Sequence, residues 1–193
     1  MVKNMNEMSS VKKSIICSVC IALCYVLPLF FHGIQNAGSV LCPMHIPVII
    51  CGLVCGGPYG LICGLAGPAM SSILTGMPAI AYLPTMMVEL GAYGLVSGVL
   101  INRVRTRNTV ADIYISMIVA MIIGRIAAGI VRAILFTSGG YTFAVWVSSY
   151  LITCWPGILI QLVFIPAILM ALTKACLIPV RYVEEKVEEN IYE

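Results

Sequence analysis

The stretch Val110–Phe136 reads VADIYISMIVAMIIGRIAAGIVRAILF, and it sets both the fold class and the first functional question. Its apolar run exceeds the roughly 20 residues an α-helix needs to cross the hydrocarbon of a bilayer. Inside that run stand Arg125 and Arg132, seven residues apart. Seven residues make about two helical turns, so both guanidinium groups lie on one face. One intramembrane acid, Glu89, is available to answer them. An ionisable side chain at the bilayer centre costs on the order of 3 kcal/mol on insertion scales, so such residues ordinarily face a partner, a cavity or a ligand. The surplus of one buried positive charge therefore points to function.

The rest of the chain has the same character. Hydrophobic residues make up 61% of its 193 positions and charged residues 10%, with a mean hydropathy of +1.03. A soluble domain of this size would need more polar surface. Six apolar blocks run over about 14–31, 45–56, 58–75, 83–101, 110–136 and 156–173. The second is too short to span alone, and Gly56-Gly57-Pro58 ends it and starts the third, which passes through a kink at Gly67-Pro68. Trp146, Tyr150 and Trp155 read as interfacial residues leading into the last block. The expectation is an all-α integral membrane protein, a six-transmembrane-helix bundle (14–173) between a cytoplasmic N-terminal segment (1–13) and a cytoplasmic tail (174–193).

Charge orients the bundle. With the N-terminus inside and six crossings, Lys3, Lys12, Lys13, Arg103, Arg105, Arg107, Lys174, Arg181 and Lys186 all fall on the inner side. The outer loops then carry no Lys or Arg, so the positive-inside rule places both termini in the cytoplasm. No small-residue cleavage site follows the first block, which reads as an uncleaved helix. In the tail, Val180, Val183, Val187 and Ile191 form an apolar stripe against Glu184, Glu185, Glu188 and Glu189, an amphipathic helix that is either solvated or in contact with a cytosolic partner.

Several chemistries are excluded or disfavoured. There is no G-x-x-x-x-G-K-[ST] loop for ATP. Asp112 is the only aspartate, and His32 and His45 fall at outer helix ends, which leaves neither a di-aspartate metal site nor an intramembrane Ser/His pair. The nine cysteines, Cys17 to Cys20 in C-x-x-C spacing included, lie mostly in apolar blocks and read as small hydrophobes, with Cys42 alone expected to be solvent-reachable. Basic residues are too few and dispersed for nucleic acid. No enzyme activity, cofactor or metal is expected.

Candidate binding residues follow from depth. At about 1.5 Å per residue from the outer helix ends, Arg132 lies roughly 6 Å down, Glu89 roughly 9 Å and Arg125 roughly 16 Å. One reading pairs Glu89 with one arginine and leaves the other to hold a carboxylate or phosphate-like group bidentately. The other reading lets Arg132 reach the outer interface and makes Glu89 with Arg125 a structural pair. Tyr93, one turn from Glu89, and Gln161 in the last block are further candidates, each able instead to satisfy a neighbouring helix. Ser14, Ser18 and Ala22 form a small-residue ridge on the first helix, suited to internal packing or to docking another membrane protein. A proton-coupled secondary carrier using Glu89 and a membrane scaffold subunit are the competing function classes.

A family resemblance rests on Pro43-Met44-His45-Ile46-Pro47-Val48, Cys51-Gly52-Leu53-Val54-Cys55-Gly56-Gly57-Pro58-Tyr59-Gly60, Leu74-Thr75-Gly76-Met77-Pro78, Glu89-Leu90 with Tyr93-Gly94-Leu95, Gly124-Arg125-Ile126, and Pro156-Gly157-Ile158-Leu159-Ile160-Gln161. In this order and over about 14–173, the chain resembles the substrate-binding S component of an energy-coupling factor (ECF) vitamin transporter. The resemblance implies a six-helix protein of a prokaryotic plasma membrane that captures a vitamin-like micronutrient near the outer surface. It also implies partners: a transmembrane coupling protein and two cytosolic ATPases, which would supply the missing ATP site. In that family the first helix docks on the coupling protein through an A-x-x-x-A-like ridge, which Ser18 and Ala22 match and Ser14 extends. The first outer loop, here with Gln35, Asn36 and His45, helps to close the pocket. A single surplus positive charge suits a monoanionic substrate, and pantothenate is the leading expectation, ahead of other carboxylate vitamins.

Overall fold

The computed structural model describes residues 8–30, 37–136 and 142–179, and these are helical throughout apart from short connections. The helices are α1 (Ser10–Phe30), α2 (Ala37–Leu41), α3 (His45–Cys55), α4 (Gly57–Thr75), α5 (Leu83–Arg103), α6 (Thr109–Leu135), α7 (Phe143–Val147) and α8 (Trp155–Lys174). A π-helical turn, Ser148–Ile152, joins α7 towards α8. Among the described residues, α1, α5, α6 and α8 are long and apolar enough to cross a membrane. The other two expected spans are α3, whose 11 residues reach only about 16 Å, and the glycine- and serine-rich α4. His32, Gln35, Asn36 and the acidic stripe of the tail lie outside the described residues.

Local sequence explains the helix ends. Gly56 separates α3 from α4 at φ 95°, a conformation costly for any residue with a Cβ. Asn108 caps α6 by accepting from the backbone N–H groups of Val110 (3.0 Å) and Ala111 (3.3 Å). One turn in, the fully buried Asp112 accepts from the Thr106 backbone N–H (2.9 Å) and hydroxyl (2.7 Å), which ties the α5–α6 connection to the helix.

Helix α5 is the centre of the bundle, packed against α3, α4 and α6, while α1 lies against α3 and α4. Glycine makes the central contact possible. A Cβ on Gly60 or Gly94 would run into the backbone of the other, one on Gly64 would meet the Leu90 carbonyl, and one on Gly98 the Gly56–Gly57 backbone. With hydrocarbon on both sides of the comparison, such helices gain cohesion from close packing rather than from escaping water. Six cysteines, Cys17, Cys20, Cys24, Cys51, Cys55 and Cys63, fill the space where α1, α3 and α4 meet. The expectation for Cys42 is corrected: it is buried at 7% exposure, and the exposed cysteine is Cys176, just beyond α8. Cys42 is buried because α8 packs over its loop, Gly157 lying against the carbonyls of Val40 and Leu41.

Candidate functional site

On α5 the residues Thr85, Glu89, Tyr93 and Ser97 recur every fourth position and are all buried, forming a polar stripe down the middle of the bundle. The Tyr93 hydroxyl donates to Glu89 Oε1 at 3.2 Å. From α6, Arg125 Nε donates to the same hydroxyl oxygen at 3.0 Å. From the start of α3, His45 Nε2 lies 3.5 Å from Glu89 Oε1, and its ring meets the Tyr93 ring edge-on at 5.2 Å. The result is a continuous chain, Arg125 to Tyr93 to Glu89 to His45, in which no member is more than 6% exposed.

The two arginines thus receive different surroundings. Glu89 reaches Arg125 through the Tyr93 hydroxyl rather than by direct pairing, because the ring fills the space between α5 and α6. Gly124 permits this, since a side chain there would collide with the Tyr93 ring. Arg125 spends Nε on Tyr93, and its terminal amino groups hold no hydrogen bond to another described residue. Arg132, two turns further along α6, is half-buried with its guanidinium over the Tyr82 ring at 5.2 Å, and Tyr82 stacks on Phe136. It stands outside the Glu89 cluster.

Gln161 and His45 converge on one carbonyl. Fully buried in α8, Gln161 donates through Nε2 to the Cys42 oxygen at 3.5 Å, and the His45 backbone N–H donates to the same oxygen at 3.1 Å. His45 is therefore more than a helix-end residue, being the imidazole partner of the buried Glu89 carboxylate. Sequence reasoning missed Trp146 as a structural neighbour. Its indole Nε1 donates to the Arg125 carbonyl at 3.2 Å and its ring occupies the space over Gly129, so it braces α6. Tyr150, also read as interfacial, is buried at 7% exposure. The spacing of Gly124, Arg125 and Gly129 held the signal, but only the return of α7 reveals what fills it.

The α1 ridge is on the outside. Ser14, Ser18 and Ala22 are all exposed, opposite the buried Cys17, Cys20 and Cys24, and the Ser18 hydroxyl turns back to the Ser14 carbonyl at 3.0 Å. Among the described residues, the ridge thus lies on the outer face of α1.

Long apolar helices around a buried, charged hydrogen-bond chain define a multi-pass membrane protein with a polar site inside its bundle. Residues 12–180 match the family model of the ECF transporter, substrate-specific component, and the chain belongs to that family. It is thus a substrate-binding membrane subunit of an ECF transporter and not its ATPase. No curated protein and no solved structure matches it.

Proposed function

We propose that the Arg125–Tyr93–Glu89–His45 chain, with Gln161, is the substrate site, and that its substrate is a small anionic vitamin, pantothenate first among the candidates. The observation that carries this reading is Arg125: a buried guanidinium fixed by Nε, with terminal amino groups that hold no described hydrogen bond. Such a fork suits bidentate binding of a carboxylate. The Tyr93 hydroxyl stands between Arg125 and Glu89, so the guanidinium is not paired directly with that carboxylate, which favours an anionic substrate. Arg132, over the Tyr82 ring, attracts the substrate. Six crossings by α1, α3, α4, α5, α6 and α8, with both termini in the cytoplasm of a prokaryotic cell, are supported by the one-sided distribution of Lys and Arg.

Transport itself belongs to partners: a transmembrane coupling protein, docked on the Ser14–Ser18–Ala22 ridge, and two cytosolic ATPases, so that the whole is an ABC importer. The exposure of that ridge supports the docking. Mass spectrometry of small molecules retained by the purified chain, followed by uptake assays with and without the coupling module, tests the reading. A retained anionic vitamin and module-dependent uptake are expected. Uptake by the chain alone, driven by a proton gradient, would instead favour a secondary carrier using Glu89, and failure to bind any small molecule would favour a scaffold.

A further inference from the structure

Among the described residues, four buried side-chain atoms have no hydrogen-bond partner: His45 Nδ1, Thr85 Oγ1, Gln161 Oε1 and Ser116 Oγ. An unsatisfied polar atom in a protein interior costs on the order of 1–3 kcal/mol, and most such atoms in native proteins are paired. Three of the four belong to one end of the bundle. His45 opens α3, Thr85 lies in the first turn of α5, and Gln161 is within two turns of the start of α8. They come from three different helices: His45 pairs with Glu89, Thr85 lies one turn from Glu89 on α5, and Gln161 shares the Cys42 carbonyl with the His45 N–H.

The hydrogen-bond directions fix what two of these atoms can accept. Glu89 accepts a hydrogen bond from the Tyr93 hydroxyl on one side and faces His45 Nε2 on the other, so in the neutral ring Nε2 carries the hydrogen and Nδ1 is a bare acceptor. The Cys42 carbonyl can only accept, so it forces Gln161 to present Nε2 to it and leaves Oε1 as a second bare acceptor. Arg125, at the other end of the chain, offers donors only. The site therefore has a polarity, with donors on α6 and acceptors on α3 and α8.

Resting on the proposed location of the site, we infer that His45 Nδ1 and Gln161 Oε1 are specificity-determining acceptors, and that the substrate carries hydroxyl or N–H donors apart from its anionic group. A donor-free carboxylate leaves both acceptors buried and unpaired, so the site discriminates against it. Thr85, able to donate or accept, adjusts to either end of the ligand.

Equilibrium binding to the purified full chain in lipid nanodiscs tests this with six probes. Pantothenate and biotin have a carboxylate and O–H or N–H donors, lipoate and nicotinate a carboxylate without donors, and pyridoxine and riboflavin donors without a carboxylate. Pantothenate or biotin is expected to bind at least about tenfold more tightly than lipoate and nicotinate, and Gln161→Met to weaken the better ligand about tenfold. Lipoate or nicotinate binding as tightly as the best donor-bearing carboxylate overturns the inference and leaves the anion site standing. An unchanged affinity in a folded Gln161→Met variant also overturns it. Binding of pyridoxine or riboflavin alone, weakened by Gln161→Met, supports the acceptor pair and sinks the anion reading, whereas binding of no probe overturns both. Should Gln161→Met fail to fold, the ranking of the six probes on the unaltered chain decides.

Discussion

At the residue scale, Tyr93 is the connecting group. It is a donor to Glu89 and an acceptor from Arg125, and it holds an acid and a base in one low-dielectric network without direct contact. Removing the hydroxyl in Tyr93→Phe strips one partner from each. The expected cost is about 1–3 kcal/mol of stability, checked by thermal unfolding in detergent, because two buried groups then lack a hydrogen bond. Arg125→Ala is expected to weaken substrate binding by about 10- to 100-fold in a titration of the purified chain, the range of a lost charge-assisted pair. Arg132→Ala, at the half-exposed rim, is expected to cost less than about fivefold, since screening by water reduces such charges. An Arg132→Ala loss equal to that of Arg125→Ala would show that the clamp has been assigned to the wrong arginine.

At the element scale, α5 owes its central place to glycines that let helices touch through their backbones. Gly94→Val would drive a branched side chain into the Gly60 backbone of α4, and neither side can yield as a flexible side chain would. Loss of the monodisperse peak in fluorescence-detected size exclusion is the expected outcome. Gly124→Ala acts more locally by pushing the Tyr93 ring off α6, so folded protein with weakened substrate binding is expected. On α1, docking through the exposed ridge, as proposed, would make it necessary for transport and not for capture. Ser18→Trp is expected to leave substrate binding within about twofold while uptake with the complete module falls at least tenfold. Normal uptake by that variant would move the docking surface elsewhere.

At the scale of the whole molecule, orientation can be read from a single thiol. Cys176 is exposed beyond the end of α8, whereas the other eight cysteines are buried. With the C-terminal end in the cytoplasm, a membrane-impermeant maleimide is expected to label Cys176 in inside-out vesicles and not in intact cells. Labelling from outside would reverse the topology and put the His45–Glu89–Tyr93–Arg125 chain on the cytoplasmic half. The same measurement after Cys176→Ser supplies the background, since no other described cysteine is exposed.

The sequence by itself determined the medium and much of the element list. Hydropathy, glycine and proline punctuation and the order of the family motifs act over short spans, and so α3 to α6 and α8 begin and end within a few residues of where the blocks do. It also marked Glu89, Tyr93 and Arg125, because burying charge in an apolar run is visible without knowing what lies opposite. Only the tertiary structure decided the pairings. The Tyr93 hydroxyl stands between Glu89 and Arg125 because Gly124 admits the ring. His45 reaches Glu89 from 44 positions away. Cys42 is buried because α8 packs over its loop, and Trp146 returns onto the Arg125 carbonyl. These contacts join side chains far apart in the chain, and their geometry depends on how closely glycine allows helices to approach, which no local pattern records.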